Sequence, residues 1–426
     1  MAVAALVIGG GIAGIQSSLD LAEQGFDVYL VEKNPSIGGR MIQLDKTFPT
    51  MDCSACIMTP RMVDAATHPK IHLFTYSEVQ KISGKPGAFK VTILRKPRYV
   101  DESACTGCGL CVNMCPVEVP NEFDESIGVR KAIYVPFPQA VPLVYTIDME
   151  HCILCSLCAK VCSTHAVKFD QKPEQLDVEV GAIVLAIGCS IFDPSKKPDY
   201  GYGLFGNVIT GLTLERLLSA SGPTGGRVVR LSDGKIPQTV AFLQCVGSRD
   251  RSIGNPYCSR VCCMYAIKLA RLVKEHIPDA DITIFYMDIR AFGKGYEEFY
   301  TRTCDELKIR LVKSRVAQVK ENPKTRDPRL KFENIEQGTV LSEDFDMVVL
   351  STGLVSAADE VMSLLPISVD KHGFPVTKEP KIDPVLTSLD GVFVAGVAES
   401  PKDIPDSVAQ ASAAAMKAAI VLSRGG

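Results

Sequence analysis

The chain has 426 residues, of which 46% are apolar and 22% charged, with a formal net charge of -3. That length calls for two or three cores, and the near-neutral balance offers no electrostatic ground for binding nucleic acid or an anionic membrane. With no run of 18 apolar residues and no basic-then-apolar leader, a soluble, cytoplasmic protein without a membrane span is expected, and its sixteen cysteines point to metal or redox chemistry rather than a disulfide scaffold.

The first segment, "AALVIGGGIAGIQSSLDLAEQGFDVYLVEK", predicts a strand, a glycine turn, a helix and a second strand ending at Glu32. In that order the glycines have separate tasks: Gly9 makes the tight turn, Gly11 admits a pyrophosphate close to the backbone, and Gly14 lets the helix pack on the strand. The N–H groups around Ile12 and Ala13, at the helix start, face the phosphates. Glu32, with Lys33 beside it, stands where a carboxylate accepts the ribose hydroxyls. The competing reading is a glycine-rich turn without a ligand. "PSIGGRM" follows, and its Gly39 and Arg40 resemble the extended FAD fingerprint of glutathione-reductase-like flavoproteins. "TMDCSACIMTP" then supplies Cys53 and Cys56, candidate further ligands of a cluster completed from elsewhere, with a flavin-adjacent dithiol or a structural pair as the alternatives. Val79, on a later strand, belongs with the cofactor-binding positions.

"CTGCGLCVNMCP" places Cys105, Cys108, Cys111 and Cys115, and "CILCSLCAKVC" places Cys152, Cys155, Cys158 and Cys162. The C-x2-C-x2-C-x3-C run, given twice, is that of bacterial two-cluster ferredoxins, in which the fourth cysteine of each run serves the other cluster. One [4Fe-4S] cluster is therefore expected on Cys105, Cys108, Cys111 and Cys162, and the second on Cys152, Cys155, Cys158 and Cys115. A zinc ribbon needs two pairs of ligands rather than two quartets. The second run lacks the usual proline after Cys162. The spacer between the runs, rich in Val, Ile and Tyr, predicts an added hairpin and a docking surface. Strand-like "FKVTILRKP" before the insert and "LDVEVGAIVLAIG" after it read as parts of one meander, so the ferredoxin is spliced into the FAD domain. "AIVLAIGC", ending in Gly188 and Cys189, and the later "DMVVLSTG" look like the two crossings between nucleotide-binding domains, although Ile187 replaces the usual threonine.

"TVAFL", a helix "YCSRVCCMYAIKLARLVKEHI" and "DITIFYM" repeat the strand-helix-strand plan. Where a second glycine fingerprint would bind NAD(P)H, the turn reads "QCVGSRDRSIGNP". On a helix Cys258 and Cys262 share a face with Cys263 on the flank, while Cys245 approaches from the strand end. Three readings stand on spacing alone: a [4Fe-4S] ligand set, a redox-active disulfide, or buried thiols. Cys189 and Cys304 stand alone and read as buried thiols. The final segment, "LTSLDGVFVAGVAESPKDIPDSVAQASAAAMKAA", resembles the closing FAD motif of the same flavoproteins: a strand delivers Gly396 to the ribityl chain, and a helix starting near Ile404 points at the flavin. Val397 stands where that motif has an acid, which leaves Asp403 or the backbone at Ile404 to contact the ribityl hydroxyls.

Taken together, "GGGIAGIQSSLDLAEQGFDVYLVEKNPSIGGRM", "FPTMDCSACIMTPRM", the spliced ferredoxin and "QCVGSRD…NPYCSRVCCMYAIK" resemble the HdrA family of heterodisulfide reductase subunits across essentially the whole chain. The resemblance implies an α/β fold of two Rossmann-like domains, as in thioredoxin reductase, with an inserted 2[4Fe-4S] ferredoxin. It implies FAD as the reaction centre and a third [4Fe-4S] cluster on Cys245, Cys258, Cys262 and Cys263. The domains expected are residues 1–98, 171–215 and 356–426 for FAD, 99–170 for the ferredoxin and 216–355 for the altered nucleotide domain. The activity implied is splitting or merging of electron pairs at FAD, with single electrons passed to clusters. The partners implied are HdrB/HdrC-like subunits and a hydrogenase- or formate-dehydrogenase-linked input subunit, with a homodimeric core. The alternatives are an NAD(P)H-dependent FAD and iron-sulfur oxidoreductase and a non-catalytic electron-wiring subunit.

Overall fold

Strongly apolar runs flanked by glycine turns form the central strands, because a strand covered on both faces by helices must be apolar throughout. The computed structural model describes residues 4–335 and 337–423. The chain divides into two units, one of Met1–Ile42, Ala55–Cys189 and Ser356–Gly426, the other of Gln43–Ser54 and Ser190–Val355.

In the first unit five parallel strands lie in the spatial order Val392–Val394, Ala182–Leu185, Ala4–Ile8, Asp27–Glu32 and Ile71–Thr75. An antiparallel hairpin, Thr377–Glu379 and Asp383–Thr387, extends the Val392 edge. Order reverses at Ala4–Ile8, with its chain neighbour on one side and a later strand on the other, and such a switch point opens a crevice at the strand's carboxyl end. The helices Ile12–Glu23 and Ile404–Ser423 cover one face, joined where Ser17 Oγ donates to the Ala411 carbonyl at 3.0 Å. The meander is present: Glu174–Val180 pairs antiparallel with Ala88–Arg95, which pairs with Ser77–Lys85.

The ferredoxin segment leaves and rejoins this meander through a closed neck. Val100 and Val167 form an isolated antiparallel bridge, and the Lys168 N–H donates to the Tyr99 carbonyl at 2.9 Å. Its spacer contains the expected hairpin, Glu118–Pro120 paired antiparallel with Val129–Lys131. Phe137 and Ala140, 7% and 4% exposed, are buried in one core with Ile37 and Met41 of the FAD fingerprint loop. The Val141 N–H donates to Ser36 Oγ at 2.8 Å, and the Ile37 N–H donates to the Val141 carbonyl at 3.1 Å. Part of the spacer therefore seats the ferredoxin on the dinucleotide fold. Alternation of Val, Ile and Tyr marks a buried face without saying what buries it.

The second unit repeats the parallel plan, in the order Val208–Thr210, Met347–Thr352, Thr239–Val246, Asp281–Tyr286 and Arg310–Lys313. A three-stranded antiparallel sheet of Gln318–Glu321, Pro328–Asn334 and Thr339–Asp344 accompanies it. Here the reversal falls at Thr239–Val246, whose carboxyl end carries Cys245.

Candidate flavin and iron-sulfur sites

At the first switch point Gly9 adopts φ +108°, and a Cβ on Gly14 would lie 1.8 Å from the Gly9 carbonyl oxygen. Neither position tolerates a side chain. Gly11 caps the helix Ile12–Glu23 without any side-chain hydrogen bond, so its first-turn N–H groups are left for a phosphate. A Cβ on Gly11 would fill that cradle 3.9 Å from the Gly39 Cα, which brings the two glycine motifs to one place. Buried Glu32 accepts from the Gly10 N–H at 2.7 Å and the Asn34 N–H at 2.8 Å, and burial raises its carboxyl above the ordinary range. Ile12 and Ala13 sit in that first turn; Lys33 is exposed beyond the strand, and half-exposed Arg40 lies 3.9 Å from Glu125 of the spacer. Val79 lies at a bulge in the strand Ser77–Lys85, and Gly188, at φ +75°, follows the strand Ala182–Leu185.

Gly396, at φ +67°, closes the same cradle, since a Cβ there would come within 2.8 Å of the Ala13 Cβ. Ile404 begins the closing helix. Asp403 Oδ1 accepts from the Asp406 N–H at 2.9 Å, the bond of a helix N-cap. Sequence reading missed Lys402, which is 7% exposed and donates to the Gly396 carbonyl at 2.9 Å and to Glu399 at 2.8 Å. A lysine two residues before a helix carries no signal in one sequence; only its burial marks it. The cradle, the uncapped helix and the buried acid fit FAD, which when bound supplies two-electron and one-electron chemistry at one ring system.

In the ferredoxin segment the two runs interleave. One hollow is lined by Cys105, Cys108, Cys111 and Cys162, with Tyr145 and Ile133, and the other by Cys115, Cys152, Cys155 and Cys158, with Ile147 and Phe169. Short helices, Leu110–Met114 and Leu157–Val161, carry each run's third cysteine and end at its fourth, turning the fourth sulfur toward the neighbouring hollow. Backbone N–H groups aim at the sulfurs, Ala166 to Cys162 at 3.3 Å and Leu154 to Cys152 at 3.5 Å. Burial pushes the Cys111 thiol up to about 12, so a thiolate there requires a cation to offset it. These donor sets fit iron-sulfur cubes. Arg98, 3% exposed, fastens the module by donating to the Pro35 carbonyl at 2.7 Å, Thr75 at 2.6 Å and Thr146 at 2.8 Å.

In the second unit the helix begins at Cys262, not near Cys258. Cys258 therefore lies in the preceding loop and not four residues along a shared helical face. The loop is held by its own ladder, where Asp250 and Asn255 exchange N–H to carbonyl bonds at 2.8 and 3.0 Å, and Arg260, left-handed at φ +62°, stops the helix from starting sooner. Cys245 turns out of the strand at φ +61°, where the register slips between Leu243 and Val246. The four thiols still gather: Cys262 feels Cys245, Cys263 and Cys258, and Cys263 feels Cys245 and Cys258. Burial pushes the Cys263 thiol up to about 11, and that of Cys262 upward as well. Both amide atoms of Gln244, next to Cys245 in the chain, are buried without a partner. With its four thiols the set fits a [4Fe-4S] cube.

Cys53 and Cys56 are disulfide-bonded. Cys304 is buried and Cys189 half-buried near Arg40, with its thiol pushed up to about 11 by desolvation. In the second unit Glu215 and Lys268, 3% and 1% exposed, form an ion pair that also binds the Asp45 N–H and the Lys46 carbonyl.

Two family models match the chain, a 4Fe-4S dicluster domain over residues 104–167 and an NAD(P)-binding Rossmann-like domain over residues 7–62. Among solved structures it is similar to thioredoxin reductase of T. acidophilum (TM-score 0.55, 12% identity, 98% of this chain and 97% of that one). It is also similar to that of Lactococcus lactis (TM-score 0.56, 14% identity, 99% of each). Fold and sites thus define a thioredoxin-reductase-like α/β protein with two Rossmann-like domains and an inserted dicluster ferredoxin. The chain is 55% identical over 423 residues to the HdrA component of the H(2):CoB-CoM heterodisulfide,ferredoxin reductase of Methanothermobacter thermautotrophicus. It is 57% identical to one of the HdrA iron-sulfur components of the CoB--CoM heterodisulfide reductase of Methanopyrus kandleri. Each match spans 99% of this chain and 64% of the relative's length. The chain belongs to the HdrA family of heterodisulfide reductase subunits. Among the described residues, no helix is long and apolar enough to cross a membrane.

Proposed function

We propose that the chain is the FAD and iron-sulfur electron-transfer part of a heterodisulfide-reductase-type oxidoreductase complex, holding one FAD and three [4Fe-4S] clusters. The observation that carries this reading is the replacement of a nucleotide turn by Cys245, Cys258, Cys262 and Cys263 at the second switch point. In ordinary reductases of this architecture a pyrophosphate lies at the carboxyl end of that strand. Four gathered thiols leave it no cradle.

The residues divide the work. Gly9, Gly11, Gly14 and Glu32 bind and orient the dinucleotide, and Lys402 fixes the Gly396 carbonyl at the closing turn. Ser36 and Arg98 lock the ferredoxin onto the fingerprint loop. Electron pairs are split or merged at the flavin, and single electrons pass to the clusters, whose potentials in proteins span about -700 to +450 mV. Subunits of the HdrB and HdrC kind, and a hydrogenase- or formate-dehydrogenase-linked input subunit, complete the circuit around a homodimeric core.

Anaerobic titration of the holoprotein with NADH and NADPH tests the reading. Neither is expected to bleach the flavin absorbance. Prompt stoichiometric bleaching by either would establish the pyridine-nucleotide oxidoreductase instead.

A further inference from the structure

The four-cysteine corner of the second unit is not enclosed on every side. Cys245, Cys262 and Cys263 are buried, whereas Cys258 is only half-buried. Cys258 Sγ accepts from the Arg260 N–H at 3.3 Å, and the Arg260 guanidinium lies over the Phe292 ring, 4.9 Å from its centroid. Phe292 is 56% exposed, in the loop between the strand Asp281–Tyr286 and the helix Tyr296–Glu306. In the same loop Asp288, whose backbone carbonyl accepts from Cys263 Sγ at 3.8 Å, pairs with Arg249 and lies 3.5 Å from Arg290, itself 42% exposed. Two residues of this rim, Arg260 and Asp288, thus touch ligand sulfurs through their backbone. Charge on the rim is one-sided. Residues 245–263 and 286–294 hold five cationic side chains, Arg249, Arg251, Arg260, Arg290 and Lys294, against two acids, Asp250 and Asp288. Asp250 is buried and engaged by Lys197 and Arg315. The whole chain, by contrast, has a formal net charge of -3. The next acids, Glu297 and Glu298, open the helix beyond Gly295.

Resting on the cluster reading given above, we propose that this rim is the docking surface for an acidic electron-carrier protein with an iron-sulfur cluster of its own. The carrier exchanges one electron with the centre held by Cys245, Cys258, Cys262 and Cys263. When the carrier is the donor, its reduced cluster is oxidised by one electron and the centre is reduced by one; no bond forms or breaks. Cations gathered around an opening speed encounter with a partner of opposite sign and slow it with one of like sign, and salt screens both effects. Phe292, with an arginine on its face, supplies the apolar contact at the middle of such a surface, where aromatic and arginine side chains are enriched. That contact is insensitive to salt. Asp288 offsets part of the positive field, and Arg290 and exposed Lys294 carry it furthest outward.

Two carriers of opposite charge make the test sharp. Stopped-flow measurements follow reduction of the oxidised, anaerobic holoprotein by a photoreduced, strongly acidic bacterial 2[4Fe-4S] ferredoxin, and oxidation of the reduced holoprotein by basic cytochrome c. The double variant Arg290→Glu, Lys294→Glu is expected to lower the ferredoxin rate constant about tenfold at low salt. At high salt it should converge on the wild type. The same variant should speed cytochrome c. Phe292→Ala should slow the ferredoxin at both salt levels. Should the double variant lose the centre, Lys294→Glu alone, at an exposed position, decides by the same pair of signs. A ferredoxin rate that the charge reversals leave unmoved, as when the carrier docks on another face, overturns the proposal. So does slowing of both carriers alike, the mark of structural damage. Iron analysis of the wild type separates the two levels: iron short by one cube overturns the cluster reading itself, whereas full iron with unmoved rates overturns only the docking surface.

Discussion

Single side chains in this protein divide into those a sequence announces and those only burial reveals. Gly9, Gly14 and Glu32 were legible because each has one task in a fixed order, and a Cβ on Gly14 would strike the Gly9 carbonyl oxygen at 1.8 Å. Gly14→Ala should therefore abolish FAD retention, measured as the flavin-to-protein ratio after gel filtration. Asp250 was not legible, since an acid in a loop is usually solvated. Its side chain is 5% exposed and accepts from Lys197 at 3.0 Å, Arg315 at 2.5 Å and the Ser252 N–H at 3.0 Å, which hold its carboxyl well below the usual range. A depressed carboxyl contributes stability that is complete above its unfolded pKa of about 4 and is lost as pH falls through the folded value. Urea unfolding of the apoprotein should weaken below about pH 4. Asp250→Ala should cost about 3 kcal/mol at pH 7 and flatten that acid limb.

At the scale of elements, strands and glycine turns were readable and the seating of the insert was not. Periodicity reports that one face of a segment is apolar, and the partner of that face lies elsewhere in the chain. The spacer around Phe137 is the example: its pattern marks an apolar face, and in the fold Phe137 stacks on Phe123 with centroids 4.9 Å apart and is buried beside Ile37. Phe137→Ala is expected to cost about 3–5 kcal/mol, seen as a lower thermal midpoint. Val129→Ala, at a position 64% exposed in the same spacer, should leave the midpoint within error. The start of the helix at Cys262 differs from the helical pattern of the sequence because Arg260 adopts a left-handed φ of +62°, which no periodicity announces.

For the whole molecule, two parallel sheets of like plan carry different residues at the same kind of crevice. The first keeps its glycines and suits a dinucleotide; the second exchanges them for thiols. If the proposal holds, the purified protein carries about twelve iron atoms per flavin, four to a cube. Cys111→Ser and Cys262→Ser should each remove about four and leave different resonances behind. Equal iron in Cys262→Ser and wild type would contradict a cluster at the second switch point. The ferredoxin quartets were legible by spacing alone, since three thiols on one loop and a fourth beyond a helical turn match no other common metal. The four-cysteine corner was only partly so, because its members arrive from a bulged strand, a loop and a helix start.

The bridge between Val100 and Val167 brings the segment's point of departure and its point of return side by side. Such a junction behaves as a socket: what lies beyond it can lengthen, shorten or be exchanged without disturbing the register of Ala88–Arg95 against Glu174–Val180. Inheritance could thus replace the wiring of this scaffold while keeping its flavin cradle, provided that each new cassette brings its own plug for the hollow that Phe137 fills.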